Sequence, residues 1–394
     1  MGAGIAREGR SFVTDGKSDY DRMIDHMLRK PLSRRNVLRA AWVGPAAMAL
    51  AACSKKVGGS AASTAPTSGG SPAALEDQLN IYNWAAYLNP KNLKAFEKEY
   101  SITATQDFYA SNEELIAKLK GGAQGYDLIA PTGYAVEILA KTGLLTPLDH
   151  AKIPNLTNVD PQFLDAGFDP GNQYSAPKDW GTTGVGYLTD HVSEDITSWQ
   201  QFFDLAPQYS GKYTVLDSSP EVIGGALKML GYSYNSLEQS QIDEATQQLI
   251  DIKPDIAAIT SSEYRQMMQR EETYVAIGWN GDFFYVKKPH KYVIPSEGSE
   301  FWLDNWAIPA GAPHPELAHE FINWILTPEH QATETSYTYY ASAVPDAKPL
   351  VDPAISGDPA IYPPPDVVAK LETAIADPLF LQLRNDAWTK FKSA

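Results

Sequence analysis

Residues 174–190, YSAPKDWGTTGVGYLTD, form a long, extended, Gly-rich stretch, and its reading decides the fold. It reads as a connection that leaves one lobe for another. On its N-terminal side strands and helices alternate. Residues 78–84 (QLNIYNW) alternate in polarity as a strand. Residues 89–100 (NPKNLKAFEKEY) have helical spacing with a proline near the start, and 102–108 form a second strand. Ser111-Asn112-Glu113-Glu114 is a capping box opening the helix ELIAKLK. Residues 126–130 (YDLIA) are a short buried strand, followed by the loop Pro131-Thr132-Gly133-Tyr134 and the helix AVEILAKTG. On the C-terminal side a second α/β run follows, with a strand at 213–217 (YTVLD), a helix at 221–230 and a strand at 275–279 (VAIGW). Residues 301–309 (FWLDNWAIP) read as a second crossing strand and 315–326 (PELAHEFINWIL) as a packed helix. Such alternation predicts a mainly parallel sheet covered on both faces.

The composition agrees with that scale. The chain has 394 residues, 43 % of them apolar, enough for two or more domains at roughly 150 residues each. Its net charge of −16 argues against non-specific nucleic-acid binding, because phosphate repels an acidic surface. One Cys excludes an internal disulfide, a Cys-rich zinc site and an iron–sulfur cluster. The seven His form no H-E-x-x-H, and there is no G-x-S-x-G elbow and no Walker A loop. Neither a metal nor a cofactor is expected.

The N-terminus reads as an address and an anchor. Ser33-Arg34-Arg35-Asn36-Val37-Leu38 precedes the apolar run AAWVGPAAMALAA at 40–52. That run is too short to span a bilayer core of roughly 30 Å, so it is a signal h-region. The paired arginines resemble a twin-arginine export signal. Leu50-Ala51-Ala52-Cys53 resembles a bacterial lipobox, which makes Cys53 the lipidation site. Residues 1–52 are therefore a signal peptide. Residues 53–76, rich in Ser, Gly, Ala, Thr and Pro, are a flexible tether.

The chemistry concentrates in loops after strands, where aromatics stand beside carboxylates. These are Trp84-Ala85-Ala86-Tyr87, Thr132-Gly133-Tyr134, Asp217-Ser218-Ser219-Pro220-Glu221, Trp279-Asn280-Gly281-Asp282 and Phe301-Trp302-Leu303-Asp304. In open α/β sheets, ligands lie beyond the carboxyl ends of strands. A crevice walled by Trp and Tyr faces with a few carboxylates suits an alkyl ammonium. Taken singly, each residue has a plainer role. A Trp after a strand usually belongs to the core, and an Asp or Glu there usually caps a helix. Trp199, Trp324 and Trp388 are assigned to the core on that ground. The functional case rests on five loops repeating one chemistry.

At these loops the chain resembles the spermidine/putrescine-binding proteins of bacterial ABC transporters, from about residue 80 to 392. The stretches that carry the resemblance are IYNWAAYL, ASNEELIAKL, YDLIAPTGY, WGTTGVGY, EVIGGALKMLGYS, VAIGWNGD, FWLDNWAIP and IYPPPDVVAKL. The resemblance implies a two-lobe periplasmic-binding-protein fold of type II, with the ligand cleft between α/β lobes joined by crossing strands. Lobe 1 would comprise 77–182 with 301–349, and lobe 2 would comprise 183–300 with 350–394. Trp84 and Tyr87 fall on the family's first aromatic pair, and Thr132 and Tyr134 on its Ser/Thr-then-aromatic loop. Glu221 falls on an amine-binding carboxylate, Trp279 on the central aromatic platform, and Asp282 on a carboxylate of putrescine-type members. Trp302 and Asp304 fall on the pair holding the other amine, and Tyr340 near a further pocket tyrosine. Ser218 stands where a spermidine-type member has Asp, and Ala86 where some members have an acid. The family's C-terminal Gln has no match around 372–374. These departures tilt the expectation slightly towards a diamine.

The implied function is capture of a polyamine, putrescine or spermidine, by a monomeric, exported, lipid-anchored protein that delivers it to an ABC transporter permease and is not an enzyme. The alternatives are another solute, such as ferric iron through Tyr339-Tyr340 or a sugar stacked on Trp, and an exported carbohydrate-active hydrolase, since carboxylates beside aromatics also line glycosidase clefts.

Overall fold

A computed structural model of the chain describes residues 76–394. The twin-arginine motif, Cys53 and nearly all of the expected tether lie outside the described residues.

Ten strands among the described residues define the architecture. They are β1 (Gln78–Trp84), β2 (Thr103–Tyr109), β3 (Leu128–Ile129), β4 (Ser175–Leu188), β5 (Tyr213–Val215), β6 (Ile256–Ile259), β7 (Val275–Trp279), β8 (His290–Val293), β9 (Phe301–Ala307) and β10 (Ala341–Ser342). Their order is β2-β1-β3-β9-β4-β7-β5-β6, with β8 and β10 also paired to β4. Within each half the pairing is parallel, β1 with β2 and β3, and β5 with β6 and β7. At the centre it is antiparallel, because β4 and β9 run in opposite directions between the halves. The sheet is thus mixed rather than mainly parallel. Helical crossovers enforce parallel neighbours, and the two crossing strands escape that rule.

The stretch at 174–190 is the 14-residue β4, buried along its whole length. Its first half pairs with β9 and its second half with β7 and β8. Its glycines serve close packing. A Cβ on Gly186 would lie 1.9 Å from the Phe283 ring, and one on Gly181 would lie 2.4 Å from Asn280 Oδ1 and the Trp302 ring.

The local signals hold up in detail. Asn89 caps the helix Pro90–Tyr100, its side chain accepting from Lys91 N. Ser111 caps Asn112–Lys120 by accepting from Glu114 N, while Glu114 accepts from Ala110 N. One apolar core gathers Ile81, Phe96, Leu128, Trp180, Trp306 and Phe321. Another gathers Val185, Trp199, Tyr213, Val222, Ile277 and Trp388. Trp199, Trp324 and Trp388 are buried, as core assignments require. The C-terminal segment is shared between the two. Ile361, Val368 and Leu371 join the first core, whereas Leu383, Trp388 and Phe391 join the second.

Candidate functional site

The C-terminal ends of β1, β3 and β7, the start of the helix Ser219–Met229, and β9 converge on one cavity of about 260 Å³. Ligand pockets commonly run ~300–1,000 Å³, so this volume fits a small, slender molecule rather than an oligosaccharide. All eleven residues singled out as ligand contacts line it: Trp84, Tyr87, Thr132, Tyr134, Ser218, Glu221, Trp279, Asp282, Trp302, Asp304 and Tyr340.

One wall comes from the first core. After β1 the chain turns through Ala86 in the left-handed region (φ 58°), and Tyr87 follows with its side chain buried. Its hydroxyl lies 2.7 Å from Asp304 Oδ2 and also contacts Asp179. A hydroxyl has one proton to donate, so it cannot donate to both carboxylates at once. Thr132 Oγ1 donates to Asp304 Oδ1 at 2.6 Å and accepts from Asn112 Nδ2 at 2.9 Å. Burial first, then the charge of Asp179, push the Asp304 carboxyl up to about 7. Lys178, only 1 % exposed, answers Asp179 by an ion pair and sits 3.5 Å over the Tyr87 ring. Trp84 Nε1 donates to Ala130 O at 2.9 Å, which fixes the indole at the cavity edge. Tyr134 lines the cavity with its hydroxyl tied to Glu113 Oε1 at 2.9 Å.

The other wall comes from the second core. Ser218 is the N-cap of the helix Ser219–Met229, without a side-chain cap bond. Glu221, in the first turn, is 9 % exposed and accepts from Trp279 Nε1 at 2.6 Å. Burial pushes its carboxyl up to about 7. Asp282 is already satisfied. Tyr264 Oη donates to it at 2.6 Å, Tyr340 Oη at 3.0 Å and Arg265 Nη1 at 3.2 Å. Trp302 and Tyr340, which belong to the first core, pack edge to face against this wall, ring centroids 4.9 Å apart.

Sequence reasoning missed Arg265 and Glu300, which also line the cavity. Arg265 sits in a helix with no functional signal, and only the fold brings it to Asp282. Glu300 directly precedes the crossing strand that carries Trp302 and Asp304, and that adjacency was the available clue. The lining holds five carboxylates, Glu114, Glu221, Asp282, Glu300 and Asp304, against one guanidinium. Electrostatically the cavity calls for a cation. Among the described residues, no group of three or more His, Cys, Asp or Glu could hold a metal ion. Tyr339 does not join Tyr340 in the cavity; its ring stacks on Phe284, centroids 5.2 Å apart.

Comparison with known proteins points the same way. The family described as bacterial extracellular solute-binding protein matches residues 91–364. The putrescine-binding periplasmic protein PotF of Escherichia coli (strain K12) is 35 % identical over 346 residues, 82 % of this chain and 94 % of that protein. A solved structure of the spermidine/putrescine ABC transporter substrate-binding protein PotD from Streptococcus pneumoniae superposes with a TM-score of 0.68 at 32 % identity, covering 81 % of this chain and 99 % of that one. The TpPotD lipoprotein of Treponema pallidum superposes with a TM-score of 0.70 at 28 % identity, covering 80 % and 99 %.

Proposed function

This chain belongs to the family of bacterial extracellular solute-binding proteins, and we propose that it captures a linear polyamine and hands it to the permease of an ABC transporter. Its fold is the two-lobe, type II periplasmic-binding-protein fold. The observation that carries the reading is the surplus of buried carboxylates in a cavity faced by Trp and Tyr rings.

The chemistry follows from that surplus. An ammonium about 4 Å from a carboxylate gains about 4 kcal/mol at an effective dielectric of about 20, before desolvation. Each aromatic face adds roughly 0.5–2 kcal/mol and covers methylenes. Asp304, with the Tyr87 and Thr132 hydroxyls beside it, takes one ammonium, and Glu221 with Trp279 takes another. Asp282 holds Arg265, Tyr264 and Tyr340 in place rather than meeting the ligand directly. Hinge closure across β4 and β9 encloses the guest. An uncharged diol of equal length leaves the carboxylates unpaired and is rejected.

Export through the paired arginines, acylation at Cys53 and a monomeric state complete the reading. A single acyl chain anchors marginally, so Cys53 carries more than one. The PotD-like lipoprotein of Treponema pallidum is a precedent for an anchored relative. The test is a thermal-shift screen of the mature chain with putrescine, cadaverine, spermidine, spermine, maltose and ferric citrate, followed by calorimetry. Polyamines alone should stabilise it; a shift with maltose or ferric citrate instead would overturn the assignment.

A further inference from the structure

Not every acid in the cleft stands in the same state. Asp282 is neutralised by Arg265. Asp304 meets neutral hydroxyls, and Glu221 meets an indole N–H. Glu300 is 3 % exposed and lines the cavity, and its Oε2 has no hydrogen-bond partner among the described residues. Three buried carboxylates of the lining, Glu221, Glu300 and Asp304, therefore lack a contacting cation among the described residues, whereas Glu114 is exposed. A buried acid left this way is costly unless a ligand answers it.

The backbone around Glu300 is held from two sides. Its carbonyl accepts from Thr183 N at 3.2 Å, and it forms a bridge to Glu372. It therefore continues the extended run of β9. Residues 300, 302 and 304 share one face of that run. At a rise of about 3.3 Å per residue, Glu300 and Asp304 lie roughly 13 Å apart along it. Trp302 stands between them, a flat surface for the methylenes of a chain laid along the strand. Glu221 is the charge that, after burial itself, most strongly opposes ionisation of Glu300; the Tyr234 hydroxyl beside it favours ionisation, and Asp304 and Glu113 oppose it further. A four-carbon diamine is too short to answer acids at both ends of this run and brings two charges to three carboxylates.

We propose that Glu300 is the specificity-determining third carboxylate of the cleft, supplying the counter-charge for the third ammonium of a linear triamine. The inference rests on the polyamine reading above and sharpens it. It runs against the slight tilt towards a diamine, which leaned on Asp282. That carboxylate is engaged by Arg265, and Glu300 takes up the charge that Asp282 cannot offer.

The experiment is calorimetry of the mature chain and of Glu300→Gln with spermidine and putrescine at pH 7.5. The wild-type chain should prefer spermidine by tenfold or more. The variant should lose at least tenfold in spermidine affinity and less than threefold for putrescine. Equal losses for both ligands, or none for either, would overturn the role of Glu300 while leaving polyamine binding intact. Wild-type protein that binds neither would overturn both readings. A second measurement needs no variant. Burial and neighbouring acids raise the proton affinity of Glu300 well above that of a free carboxylate. Titrations in two buffers of different ionisation enthalpy should then show more proton release with spermidine than with putrescine. Equal release would reject the proposal.

Discussion

Trp84, at the end of β1, and Trp279, at the end of β7, meet edge to face with ring centroids 5.7 Å apart. One indole comes from each parallel half of the sheet, so ring contact bridges the cleft. A guest must change the surroundings of both rings. Binding should therefore alter tryptophan fluorescence, and Trp279→Phe should remove most of that change. Trp279→Ala also deletes the N–H donor to Glu221 and should lower polyamine affinity at least tenfold in calorimetry, given about 0.5–2 kcal/mol for the ring face alone.

Neutralising the carboxylates proposed to meet the ligand separates binding from folding. Glu221→Gln and Asp304→Asn should each weaken polyamine binding more than tenfold. Each also removes a buried acid without a contacting cation, so the ligand-free variants should unfold at the same urea concentration as the parent at pH 8, or a higher one.

The pH dependence follows from Glu221 and Asp304, both pushed up to about 7 by burial. In the unfolded chain such groups ionise near 4. Between those values the folded, empty protein binds more protons than the unfolded one, so its stability falls as pH rises from about 4 to about 7. A polyamine binds the ionised form, so its affinity should rise across the same window. Denaturation of the empty protein and calorimetry at pH 5.5 and 8 should show these opposite trends.

Arg265 answers Asp282, and both side chains are largely buried. Arg265→Met leaves Asp282 with two hydroxyl donors and no cation, which should cost about 3 kcal/mol of stability. A polyamine should then restore more thermal stability to the variant than to the parent, because its ammonium can take the vacated place.

Gly186→Ala tests the packing of the crossing strand. The added methyl would collide with the Phe283 ring and should destabilise the chain by roughly 1–3 kcal/mol, visible as a lower melting temperature.

Much of this molecule is written in short-range pattern. Alternation marks β1, the capping residues Asn89 and Ser111 start their helices, and the unbroken extended run from Ser175 to Leu188 crosses between the halves. The loops holding Trp84, Thr132, Glu221 and Trp279 were legible as a site because strand ends in an α/β sheet share one rim, whatever the details of packing. What the tertiary structure alone decided is which charges are already answered. Arg265 reaches Asp282 from a helix 17 positions earlier, and Lys178 pairs with Asp179 over the face of the Tyr87 ring. Glu300 is left with an unpaired oxygen beside the strand bearing Asp304. Local periodicity encodes how each element forms. Pairing between groups far apart in the chain, and the burial that raises their proton affinity, exist only once the two crossing strands bring the halves together.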